Sequence, residues 1–95
     1  RRRCEDSFLN GTDFVGADYP GSDTFARSPA ECCAQCNRDG GQCKGWTFVK
    51  GGRCWRKRAG WTVSKVPPKT AALVVSGVQC NGCGRVSGLV AQLAV

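Results

Sequence analysis

Eight cysteines carry most of the reactive chemistry of this 95-residue chain: Cys4, Cys32, Cys33, Cys36, Cys43, Cys54, Cys80 and Cys83. An even and dense set of thiols in so short a chain reads as a disulfide framework, which persists in an oxidising compartment. Two CxxC units, Cys33-Ala34-Gln35-Cys36 and Cys80-Asn81-Gly82-Cys83, offer the rival chemistry of a four-thiolate zinc module. Against zinc, the first unit falls in a capped helix rather than a tight turn, and four thiolates leave Cys4, Cys32, Cys43 and Cys54 unexplained. Disulfides account for all eight, so neither a metal nor another cofactor is expected. The chain has no His, which excludes Ser-His-Asp, Cys-His and His-metal arrangements outright. Asp13, Asp18, Asp23 and Asp39 sit in turn-like contexts and Glu31 in a helix cap, so structural use outweighs a catalytic carboxylate pair. The chain reads as non-enzymatic.

The remaining groups point to binding. A formal net charge of +7 gives a basic surface, with Arg53, Arg56, Lys57 and Arg58 close together and Lys44, Lys50, Lys65 and Lys69 elsewhere nearby. Acidic polysaccharide is a natural extracellular partner for such a surface. In an extended strand Arg53 and Lys57 alternate with Cys54 and Arg56, so both faces carry charge and not every cation lines one groove. A solvated basic edge that blocks aggregation is the plainer alternative. Among the three tryptophans, Trp46 reads as core, Trp55 is ambiguous, and Trp61, in a Gly60-Trp61-Thr62 loop, is the first candidate for stacking on a sugar ring. Asn10-Gly11-Thr12 fits the N-glycosylation acceptor pattern. Asn81-Gly82-Cys83 is the rarer Cys form, which a disulfide at Cys83 would block. No run approaches the ~20 apolar residues of a membrane-spanning helix. The expected partner is a glycan or glycoprotein; neither nucleic acid nor membrane insertion is expected, and the location is secreted or extracellular. Arg1-Arg2-Arg3 has no apolar segment after it, so the chain reads as mature or as a fragment.

These groups need elements to hold them. A chain this short forms one domain and buries only about 60–65% of the surface its unfolded form exposes, so crosslinks must supplement the core. Short strands and turns are expected from Cys4 to Arg27. Ser28-Pro29-Ala30-Glu31 then supplies an N-cap, a proline at the first helical position and a capping-box glutamate. The helix should run over about 29–38 and stop at Asp39-Gly40-Gly41. At 100° per residue, Cys32, Cys33 and Cys36 share an arc about 100° wide and can face one interior. Gly45–Val49 and Arg53–Lys57 flank Gly51-Gly52 and predict a hairpin. A two-residue Gly-Gly turn would set Lys50 against Arg53 and Phe48 opposite Trp55. Thr70–Val75 reads as a further strand in the same sheet. Leu89–Val95 is an uncharged apolar tail, a candidate contact for self-association as a subunit of an extracellular coat or fibre. The fold class is α+β: a small disulfide-rich domain with a twisted antiparallel sheet and one helix packed on it.

Taken in order, Cys4, Asp13 with Gly16-Ala17-Asp18, Ser28 to Cys36, Cys43 with Trp46-Thr47-Phe48, Cys54-Trp55, and Val75-Ser76-Gly77 with Cys80 resemble the PAN/apple domain. The resemblance spans about four fifths of the chain. It divides the chain into a PAN/apple-like domain over residues 1–83 and the tail over 84–95. It implies a helix across an antiparallel sheet, and a non-catalytic, adhesion-type module that binds proteins or carbohydrates. Carried onto this chain, the family pattern pairs Cys32 with Cys54 and Cys36 with Cys43, and a bond tying the ends would use Cys4 and Cys80. Cys33 and Cys83 depart from the minimal pattern and are matched as the remaining two, Cys33–Cys83, with other assignments among Cys4, Cys33, Cys80 and Cys83 left open. The family transfers no ligand-contacting residues. The candidate surface therefore rests on Arg53, Arg56, Lys57, Arg58 and Trp61 alone.

Overall fold

The computed structural model describes residues 3–80. Its helix α1 spans Pro29–Arg38 and begins as the local chemistry dictates. Ser28 Oγ accepts a hydrogen bond from the Glu31 N–H at 3.1 Å, with Pro29 at the first helical position. The Glu31 carboxylate reaches one residue further back than a standard capping box, accepting from the Arg27 N–H at 2.6 Å. Gly40, at φ 66°, turns the chain away after Asp39. Cys32, Cys33 and Cys36 are all fully buried, as their shared arc requires.

Among the described residues there are seven strands, in chain order β1 (Leu9–Asn10), β2 (Thr12–Val15), β3 (Asp18–Phe25), β4 (Gly45–Val49), β5 (Arg53–Lys57), β6 (Thr62–Lys65) and β7 (Val74–Val78). Five of them form an antiparallel sheet in the order β1-β7-β4-β5-β3, while β2 and β6 form a separate antiparallel ribbon. The helix covers one face of the sheet, where Trp46, Phe48 and Cys54 join Cys32, Cys33 and Cys36 in the core. The ribbon covers part of the other face. The architecture is thus α+β with three layers: helix, sheet and ribbon.

A relay of buried hydroxyls fastens the ribbon. The Phe14 N–H donates to Thr47 Oγ1 at 3.2 Å, and Thr47 and Ser76 hydroxyls lie 2.7 Å apart. Ser76 Oγ donates to the Thr12 carbonyl at 2.7 Å, which leaves Thr47 as the donor to Ser76. A two-stranded ribbon is marginal by itself, so these bonds and the Phe14 side chain, 3% exposed, hold it down.

Three expectations need correction. The β4–β5 connection contains three residues, Lys50-Gly51-Gly52, so Val49 faces Arg53, Phe48 faces Cys54, and Trp55 faces Thr47. Both glycines sit at positive φ, 110° and 112°, and Gly52 N–H donates to the Val49 carbonyl at 3.2 Å. The longer turn shifts the register by one and sends Trp55 to the face opposite Phe48. The last strand is also displaced: Ala71–Leu73 forms a 3-10 turn, and pairing begins at Val74.

The disulfide framework is Cys32–Cys54, Cys36–Cys43 and Cys4–Cys33. The first two are the pairs that the family pattern implies. Cys4–Cys80 and Cys33–Cys83 are overturned. A 3-10 turn at Cys4–Ser7 lies beside α1 and brings the Cys4 Cα within 6.0 Å of that of Cys33, which consumes both thiols. Cys80 is disulfide-bonded too, and its N–H donates to Asn37 Oδ1 at 2.9 Å. Cys83 and the tail over 84–95 lie outside the described residues.

Candidate functional site

Strand alternation sorts the basic residues of β5 to opposite sides of the sheet. Arg56 faces the helix, where its Nη1 lies 2.5 Å from Asp39 Oδ2 and its Nη2 donates to the Gly21 carbonyl at 3.0 Å. Its side chain is only 11% exposed. Arg58, next on that side, stacks over the Tyr19 ring at 5.6 Å. Tyr19 is buried and its hydroxyl donates to Asp39. Burial and the adjacent Asp39 carboxylate hold its phenol protonated well above the ordinary value, with Arg56 and Arg58 opposing the shift.

Lys57 and Arg53 face the other way. The Lys57 side chain is 4% exposed, and its Nζ lies 2.6 Å from Asp18 Oδ1 and 3.2 Å from the Gly16 carbonyl. Arg53 bonds Asp23 through Nε and Nη2 and sits over the Trp55 ring at 5.1 Å. The expected basic surface is therefore not one surface. Arg56 and Lys57 are consumed by Asp39 and Asp18, and β5 is an interior strand rather than a basic edge.

Trp61 also differs from its expected role as an exposed contact. It is half-buried, stacked on Phe14 at 4.7 Å, and its ring occupies the space that a side chain at Gly45 would need. An aromatic after a glycine in a loop gives no sign of such packing, because Phe14 comes from distant sequence.

What the structure brings together instead is an open groove of about 240 Å³ between β2 and the β4–β5 pair. Trp55, Val49 and Phe14 supply apolar walls; Asp13, Asp18 and Lys57 supply polar groups. Sequence reasoning named Lys57 but missed Trp55, Asp13 and Asp18 as its companions. The aspartates were visible only as turn residues, and Trp55 is ambiguous in the sequence because a two-residue turn would pair it with Phe48 rather than Thr47.

An ammonium has three donors. Two of Lys57's are used by Asp18 and Gly16, and the third has no protein acceptor among the described residues. The groove can thus offer a hydrogen-bond donor, carboxylate acceptors and an aromatic wall. Zinc chemistry finds no support in the first CxxC unit, since Cys33 and Cys36 belong to two different disulfides.

The fold is a small, disulfide-linked α+β domain with an open groove beside its ribbon. Residues 12–57, from the start of β2 to the end of β5, match the family model of the PAN domain. PAN domains are in general non-catalytic modules of binding and adhesion. No curated protein and no solved structure matches the chain. No helix among the described residues is long and apolar enough to cross a membrane.

Proposed function

We propose that this module binds a neutral carbohydrate, free or carried on a glycoprotein, outside the cell, and that the sugar lies in the groove between β2 and β5. The observation that carries this reading is the Lys57 ammonium, held almost wholly buried against Asp18 at the rim of a groove walled by Trp55. A sugar ring presents an apolar face suited to an indole, and hydroxyls that both donate and accept. Lys57 donates to such hydroxyls, while Asp13 and Asp18 accept from them. The same two carboxylates repel an anionic sugar, so the acidic polysaccharide suggested by net charge is a poor occupant here. Disulfides as the framework fit an oxidising, extracellular setting.

The test is binding to an array of neutral and sulfated glycans, followed by Trp55→Ala and Lys57→Gln on any neutral hit. Both substitutions are expected to weaken binding at least tenfold, while Arg58→Ala, on the opposite face, leaves it unchanged. Neutral-glycan binding that survives both substitutions, or an array with sulfated hits alone, would remove this groove from consideration.

A further inference from the structure

The two outer strands of the five-stranded sheet are defended unequally. Edge strands expose unpaired backbone groups and invite pairing with another chain, so folded proteins blunt them with proline, bulges or charge. At one edge, β3 contains Pro20, Asp18 and Asp23, and its pairing with β5 is interrupted by an irregularity between those two aspartates. At the other edge, β1 has no proline, irregularity or charge and is defended only by its shortness, two residues. It consists of Leu9 and Asn10, paired to Ser76 and Val75; Leu9 itself is 46% exposed, and Val78 at the end of the neighbouring β7 is 44% exposed.

Asn10 is also the first residue of the acceptor tripeptide Asn10-Gly11-Thr12, and it is exposed. We propose that Asn10 carries an N-linked glycan, and that this glycan adds a shield to the β1 edge.

The fold also dictates when the sugar is attached. Gly11 and Thr12 are buried, Thr12 at 4% exposure, with the Gly11 N–H bonded to the Val74 carbonyl and the Thr12 carbonyl bonded to Ser76. The finished fold thus offers the Asn10 amide but hides the hydroxyl residue that the acceptor pattern requires. The bonds that close over the tripeptide come from β6, Val66 and β7, all later in the chain. At about 5–20 residues per second, Ser76 is made roughly 3–13 s after Leu9, which leaves the acceptor open during synthesis.

The full chain secreted from eukaryotic cells, alongside Asn10→Gln, provides the test. Intact mass with blocked thiols is expected to show a glycan-sized excess on the native chain that an N-glycan amidase removes and that Asn10→Gln lacks. A bare mass with every cysteine bonded would overturn the site, yet leave the extracellular reading standing. Sedimentation over a rising concentration series then tests the role. The glycosylated chain should stay monomeric while Asn10→Gln, equally folded by circular dichroism, self-associates. Identical sedimentation of the two would overturn the shielding role. Unglycosylated, refolded protein offered to an oligosaccharyltransferase should be inert, whereas the same chain reduced and unfolded should be modified; equal modification of both would overturn the order of events.

Discussion

Arg56 and Arg58 are two positions apart on the same face of the sheet, yet their surroundings give them different weights. Arg56 has its guanidinium against Asp39 and the Gly21 carbonyl in a mostly buried site. Removing it leaves Asp39 without its cation and the Gly21 carbonyl without its donor. Arg56→Met should therefore cost about 2–3 kcal/mol, below the ~3–5 kcal/mol of a fully buried pair because Asp39 keeps some contact with water. Arg58 is exposed and contributes only its position over Tyr19, so Arg58→Ala should fall within about 0.5 kcal/mol of the native chain. Denaturant midpoints at constant slope read both. The same cluster sets an alkaline limit. The Tyr19 phenol is raised above its ordinary 10.0 in the folded state. The folded chain then holds a proton that the unfolded chain gives up above about pH 10, and stability falls as pH rises through that range. Melting temperatures followed from pH 8 upward should decline beyond pH 10, and Tyr19→Phe should flatten the decline.

Elements fit together here through glycines that admit the large rings of neighbouring layers. On the helix side, a side chain at Gly77 would lie 2.6 Å from the Trp46 ring; on the ribbon side, one at Gly45 would lie 2.6 Å from the Trp61 ring. The distances match but the rings do not. Trp46 is fully buried among disulfides and Phe8, whereas Trp61 is half-buried and has solvent on one side. Gly77→Ala should therefore cost about 2–3 kcal/mol and Gly45→Ala about 1 kcal/mol, the ordinary range for overpacking a rigid and a yielding site. Thermal midpoints of the two variants measure the gap. This contrast also marks what the sequence made legible. Helix α1 and its cysteine face follow from Ser28, Pro29 and a 3.6-residue period, all local. The strand character of β4 and β5 is local as well, but their register depended on whether Lys50 belonged to the turn. The ribbon was not legible, because β2 and β6 lie some fifty positions apart and Thr47 and Ser76 look like ordinary strand residues. The groove vanished with it, since its walls come from β2, β4 and β5 together.

At the scale of the whole molecule, stability rests on crosslinks that span different lengths of chain. Cys36–Cys43 closes a separation of 7 residues within the turn after α1, while Cys32–Cys54 closes 22 and joins helix to sheet. All four sulfur-bearing residues are fully buried, so replacing either pair with alanine leaves comparable voids. The difference between the two replacements thus isolates the constraint each bond places on the unfolded chain. Loop-closure entropy gives about 2.4 kcal/mol for the short loop and about 3.4 kcal/mol for the long one. The Cys32→Ala/Cys54→Ala chain should be the less stable of the two by about 1 kcal/mol. Urea titrations of the two double variants, compared at matched slopes, read it directly. An equal or reversed order would mean that packing in the native state, rather than restriction of the unfolded chain, sets what each bond contributes.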